Sequence, residues 1–143
     1  MIETKIQMGL NGLDDAKMIR QTVFVDEQGF EEEFDTIDDI AWHVLVNLDG
    51  KPVAVGRTFP KENNPSVYII GRVAVIKELR KSGLGARVIN DLEDTAKKQG
   101  ANKIELSSQC TAEGFYKHIG YTAIGEIYLD QFAPHIKMIK ELK

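Results

Sequence analysis

The chain of 143 residues contains one cysteine, Cys110. No intrachain disulfide can form, and no Cys-x-x-Cys metal or redox site exists. This is compatible with a reducing compartment, and no metal site is expected. A basic excess is missing too: the formal net charge is −4. A general nucleic-acid binder needs a cationic surface to neutralise phosphates, so that class is disfavoured. No apolar run approaches the length of a membrane span. Residues 1–10 alternate polar and apolar side chains and lack the unbroken apolar core of a signal peptide. The expectation is a cytoplasmic protein with no membrane partner. Hydrophobic residues at 43% and charged residues at 28% are ordinary for one globular domain, spanning 1–143, with one proper core.

Local patterns are legible along most of the chain. Ile2, Thr4 and Ile6 alternate as in a strand. Asp14 is placed to cap a helix whose apolar face is Ala16, Ile19, Val23 and Phe24. The run from Phe30 to Asp39 is acidic and aperiodic, which reads as an exposed loop. Strands are expected over 42–48 and 53–59, joined by the hairpin signal Asp49-Gly50. Residues 60–65 read as a turn-rich loop. Residues 67–75 read as a central strand, in which Gly71 marks a bulge or a close backbone approach. A helix over 83–99 has the stripe Leu84, Val88, Ile89, Leu92 and Ala96, with Glu93–Lys97 and Asp94–Lys98 as ion pairs on its wet side and Gly100 ending it. A strand over 103–108, a short helix capped by Thr111, and strands over 121–129 and 135–142 follow. The order is β-α-β-β-β-α-β-α-β-β. It is a mixed α/β pattern: an antiparallel start, then a β-α-β unit that implies one parallel pair.

The informative stretch is Gly71-Arg72-Val73-Ala74-Val75, followed by Arg80-Lys81-Ser82-Gly83-Leu84-Gly85-Ala86. A buried strand runs through a basic, glycine-bearing loop into a helix. The first amides of a helix have no intrahelical acceptor, and its dipole adds partial positive charge there. Two glycines let a phosphate approach the backbone, and Arg80 and Lys81 add full charges. The design suits a pyrophosphate. A Walker loop would need Gly-Lys-Ser/Thr, but Ala86 and Arg87 follow Gly85. A dinucleotide loop would need glycine at position 88, which is Val88, and a first glycine almost at the strand end.

Arg80-x-x-Gly83-x-Gly85 after Val73-Ala74-Val75 resembles the R/Q-x-x-G-x-G/A signature of GNAT N-acetyltransferases. The resemblance extends over most of the chain: Arg20-x-x-Val23-Phe24-Val25-x-Glu27-Gln28, Phe115-Tyr116-x-x-x-Gly120-Tyr121 and Pro134-His135-x-x-Met138 look like its ElaA-like and YjcF-like branch. It implies a GNAT fold, a mixed, mostly antiparallel twisted sheet flanked by helices, whose fourth and fifth strands splay to admit acetyl-CoA. It implies that Val73, Ala74 and Val75 line the pantetheine arm, and that Arg80, Lys81, Ser82, Gly83, Leu84, Gly85 and Ala86 hold the pyrophosphate. Tyr116 stands where many members protonate the leaving thiolate, beside the cofactor. The implied activity is direct acetyl transfer to a primary amine, carried by a small molecule or a peptide, in a ternary complex. Relatives are often monomers or dimers, so the resemblance implies a monomer or homodimer.

Each candidate also has a plainer reading. An aromatic pair such as Phe115-Tyr116 is more often core packing. Glu27, ending the first helix, and His43, in an early strand, are the candidate general bases; surface or structural roles are commoner for such residues. Cys110 with His43, His118 or His135 would make a nucleophile, but a lone cysteine is usually an inert small hydrophobe. The acidic residues 31–39 suit steering of a cationic acceptor, though a charge run is usually a solvated loop. His135 reads as an exposed strand start. The functional alternatives are a catalytically silent acyl-CoA sensor, a cysteine acyltransferase with ping-pong kinetics and a nucleotide-binding protein. Acceptor choice is expected in loops such as 29–41, which carry no readable code.

Overall fold

The computed structural model describes residues 1–30 and 35–143. Seven strands form one sheet: β1 (Ile2–Met8), β2 (Trp42–Leu48), β3 (Lys51–Lys61), β4 (Asn64–Val75), β5 (Lys103–Gln109), β6 (Thr122–Asp130) and β7 (Ala133–Glu141). Their spatial order is β1-β2-β3-β4-β5-β7-β6, and every neighbouring pair is antiparallel except β4 with β5. Helix α1 (Asp14–Arg20) continues into a π-helical segment, Gln21–Glu27. Helices α2 (Leu84–Lys98) and α3 (Glu113–His118) follow β4 and β5.

Strand alternation serves two cores. In β2, Val44 and Val46 point to the face covered by α2, where Val88, Ile89, Leu92 and Ala96 are buried with Ile104 and Met138. Leu45, Val55 and Ala74 point to the other face, against Leu10, Leu13, Ala16, Ile19 and Val23. Burying each such Val, Leu or Ile contributes roughly 1.5–3 kcal/mol. Gly56 lets α2 sit directly on the sheet: a Cβ there would lie 2.7 Å from both Leu92 Cδ1 and Val88 Cγ1.

The parallel pair is short. Val67–Ile70 match Lys103–Leu106, and the pairing then stops. Beyond it, among the described residues, β4 pairs only with β3, and β5 only with β7 as far as Gln109 opposite His135. The two strands splay, leaving a gap bordered by their facing edges. A bulge starts this divergence. Val55 pairs with Ala74 but Arg57 with Gly71, so β4 holds one extra residue, and Arg72 has φ +54°. The irregularity expected at Gly71 is therefore centred one residue later.

Several local expectations are corrected. Leu13, not Asp14, is the N-cap of α1, with no side-chain cap bond, and Ala112 rather than Thr111 precedes α3. Residues 60–65 are mostly strand; only Glu62-Asn63 turn, with Asn63 at φ +65°. Glu93 does not pair with Lys97 on the wet side. It is buried, accepting from Tyr121 Oη at 2.7 Å and Lys140 Nζ at 3.0 Å. The acidic run is not simply an exposed loop. Glu31, Glu32 and Glu33 lie outside the described residues, but Thr36–Asp39 form a 3-10 turn and Asp38 is 4% exposed. His135 is buried, with Nδ1 2.9 Å from Ala133 O.

Candidate active site

The end of β4, the start of α2 and the aromatic helix α3 converge. A Cβ on Gly85 would lie 3.3 Å from Phe115 Cζ and 3.9 Å from Val75 Cγ2. The loop into α2 turns through Lys81 (φ +67°) and Gly83 (φ +89°), and Ser82 Oγ donates to Leu79 O. The first helical hydrogen bond runs from Arg87 N–H to Gly83 O at 3.1 Å. The amides of Leu84, Gly85 and Ala86 therefore have no intrahelical acceptor, and no side chain among the described residues caps the helix. Lys81 has no ion-pair partner among the described residues. A donor set of free amides, a helix terminus and a free ammonium fits a phosphate.

Arg80 is already engaged. Its Nη1 and Nη2 donate to Glu27 at 2.5 and 2.7 Å, and its Nε donates to Val75 O at 3.1 Å. The hydrogen bond and charge of Arg80 hold the Glu27 carboxyl below its ordinary pKa. The next residue, Gln28, turns the other way: its Oε1 accepts from Gln109 Nε2 on β5 at 3.0 Å. Phe30 then stacks on Phe132 of the β6–β7 hairpin, with centroids 5.0 Å apart. His135 stacks on Tyr128, whose hydroxyl hydrogen-bonds Ser107 Oγ. The segment after α1 thus bridges both sides of the gap, and an aromatic group stands at the β5 side.

Tyr116 meets Phe115 and Tyr121 edge-on, with centroids at 5.0 and 5.7 Å. Its hydroxyl has no hydrogen-bond partner among the described residues. Burial pushes its pKa up to about 12, so it is a protonated donor across the neutral range.

The sequence pattern of the acetyltransferase (GNAT) domain matches residues 13–142. The chain belongs to the GNAT acetyltransferase family. It is 36% identical over 132 residues to the uncharacterised N-acetyltransferase YjcF of Bacillus subtilis strain 168, covering 90% of this chain and 92% of that protein. It is 27% identical over 128 residues to ElaA of Escherichia coli K12, covering 87% of this chain and 84% of ElaA. The crystal structure of E. coli ElaA superposes with a TM-score of 0.86, covering 99% of this chain and all (100%) of that one, at 26% identity. An acyl-homoserine lactone synthase, BjaI, shares the fold alone: TM-score 0.83 at 15% identity, covering 100% of this chain and 84% of that one.

Within this GNAT scaffold, the sequence candidates fall into separate places. Val75, Arg80, Gly85, Phe115 and Glu27 meet as above, with Tyr116 next to Phe115 in α3. His43 does not join them. It is buried, its Nε2–H donated to Asp38 O at 2.9 Å, and burial, with the nearby arginines, lowers its pKa despite Asp38. Cys110 is half-buried, and no hydrogen bond links it to a histidine among the described residues: His43 serves Asp38 and His135 serves Ala133. No group of three His, Cys, Asp or Glu able to hold a metal occurs among the described residues.

Sequence reasoning missed a buried charge network in this GNAT domain. Arg20 and Arg57 both donate to Asp38 Oδ1 at 2.8 Å, and Arg57 also reaches Asp35 at 2.7 Å. Arg72, the bulge residue, lies 3.5 Å from Asp35. Burial pushes the Asp38 carboxyl up, but Arg20 and then Arg57 outweigh it and hold its pKa down to about 2. A signal was available. Arg57 follows Val55 at the two-residue strand period, on the face packed against α1, and a buried guanidinium requires a carboxylate.

Proposed function

We propose that this GNAT protein transfers acetyl from acetyl-CoA to a primary amine by direct attack in a ternary complex. The observation that carries the reading is the gap between β4 and β5, which opens beside Val73–Val75 and runs into the uncapped amides of α2. The free edge of Val73–Val75 would pair with the amides of a pantetheine arm as an added strand does. Lys81, with the amides of Leu84, Gly85 and Ala86, would hold the pyrophosphate.

The chemistry divides as follows. The acceptor attacks as neutral amine, although a free amine has a pKa of about 10.4. Backbone amides near Val73–Val75 stabilise the oxyanion that forms on the carbonyl. The carbon–sulfur bond breaks and sulfur leaves as thiolate. Tyr116 donates its O–H to that sulfur and recovers a proton from the acylated nitrogen, directly or through water. Its high pKa makes donation to sulfur uphill unless the second transfer accompanies it, so the two are coupled. The proton lost by nitrogen ends on sulfur, and Tyr116 ends as it began.

No side chain is assigned as base. Glu27 is committed to Arg80, and His43 is committed to Asp38. The test is amine-dependent release of CoA thiol with both substrates varied. Intersecting initial-rate lines are expected. Parallel lines with acetylated protein would contradict direct transfer and return attention to Cys110.

A further inference from the structure

Arg80 has five N–H groups, and three of them are in use. Glu27 takes one hydrogen from each terminal nitrogen, the end-on fork by which guanidinium binds carboxylate or phosphate. The pair carries no net charge. Of the two adjacent cations that mark this loop, Lys81 alone lacks an ion-pair partner among the described residues. The carboxylate does not come from the loop. It comes from the end of the π-helical segment, 53 positions away in sequence. Its neighbour Gln28 is tied to Gln109 on the far side of the gap, which keeps Glu27 directed at Arg80. The Val75 carbonyl holds the third guanidinium nitrogen, so Arg80 is fixed at the strand end where the gap meets the loop.

We propose that Glu27 is an internal anion of the pyrophosphate loop. It occupies the guanidinium nitrogens a diphosphate would use, competes with the diphosphate of the acyl carrier for Arg80, and thereby sets cofactor affinity. Glu27 is then an affinity determinant and not a base. Its position supports this. Arg80 binds both Glu27 and Val75, and Val75 lies three residues beyond the bulge at Arg72, about 10 Å along an extended strand. The inference rests on the acyl-CoA reading above.

The test is calorimetric titration of wild type, Glu27→Gln, Arg80→Gln and the double variant. Each is titrated with CoA and with pantetheine, which lacks the diphosphate, at low and high salt. Glu27→Gln is expected to bind CoA roughly three- to tenfold more tightly at low salt, the effect of removing one partly screened charge. Its affinity for pantetheine is expected to be unchanged. In the Arg80→Gln background the same change is expected to do nothing. Glu27→Ala, judged folded by its melting curve, is the second variant and is expected to shift in the same direction. Equal or weaker CoA binding by both Glu27 variants overturns the inference. So does tightening that persists without Arg80, because the effect is then general charge. Wild-type protein that binds no CoA overturns the acyl-CoA reading itself, a result distinct from wild type that binds and variants that do not tighten.

Discussion

Glu27 and Gln28 are neighbours in the chain and bind opposite sides of the splayed sheet: Glu27 takes Arg80 beyond β4, and Gln28 takes Gln109 at the end of β5. The helix that precedes them passes from α-helical to π-helical over Gln21–Glu27, a form that recurs at functional sites. The two side chains register the wall of the gap against both strands. Gln109→Ala removes one of these ties. It is expected to loosen Glu27 from Arg80 and so to tighten CoA binding in the direction of Glu27→Gln, by no more than that variant does. CoA affinity unchanged in Gln109→Ala, when Glu27→Gln tightens it, would show that the Gln28–Gln109 bond does not direct Glu27.

Tyr116→Phe removes the only group assigned to the leaving sulfur. A loss of about a hundredfold in kcat is expected, at the low end for general acid catalysis, with little change in CoA affinity. Steady-state CoA release measures it. Unchanged turnover would remove Tyr116 from the mechanism.

With no protein base, only the neutral fraction of the amine reacts. The kcat/KM for the amine should then rise about tenfold per pH unit from pH 6 to pH 9, toward an amine pKa near 10.4. Tyr116, held up to about 12, adds no limb in that range. A plateau near pH 7 that moves in Glu27→Gln or His43→Gln would restore one of them as base.

Asp38 links acid to unfolding. Its folded pKa, about 2, lies below the ordinary value of 3.8, so its stabilisation is complete above pH 4 to 5 and is lost as pH falls toward 2. The loss is about 2 kcal/mol by linkage. Asp38→Asn removes the carboxylate that Arg20 and Arg57 share and is expected to lose roughly 3–5 kcal/mol at pH 7. Urea unfolding across this pH range tests both. A variant as stable as wild type would show that the network contributes nothing net.

Gly56 and Gly83 separate packing from binding. Gly56→Ala forces a methyl against Leu92 and Val88 and should lower stability by about 1–3 kcal/mol. Gly83→Ala has open space but sits at φ +89°, so backbone strain of about 1–2 kcal/mol falls on the loop. It is expected to weaken CoA binding more than Gly56→Ala does. Melting curves and CoA titrations of both variants decide this.

What the sequence revealed was whatever local chemistry specifies. Asp49-Gly50 declares its hairpin, and the 3.6-residue stripe from Leu84 to Ala96 declares α2. Arg80-x-x-Gly83-x-Gly85 declares a phosphate loop because the requirement is carried within six residues. What it hid depends on distant partners. The i,i+4 rule matched Glu93 with Lys97, but the fold supplies Lys140 and Tyr121. Asp38 looked like one charge of a solvated run, since nothing nearby in the chain shows that Arg20 and Arg57 close on it. The spacing of Ile19 and Val23 fits an α-helix as well as a π-helical segment, so the widened turns that aim Glu27 at Arg80 left no local trace. Prolines 60 and 65 read as loop residues, yet the strands run on to Glu62-Asn63 because the pairing of β3 with β4 outweighs them.

The gap between β4 and β5 is expected to take an acyl-CoA. Calorimetric titration of the purified protein with acetyl-CoA, with ATP and NAD as controls, tests it most directly. Saturable binding of acetyl-CoA alone, weakened in Gly83→Ala, is the expected result. No heat from acetyl-CoA, with saturable binding of ATP or NAD, would exclude acyl-CoA from the gap and make the loop a nucleotide site.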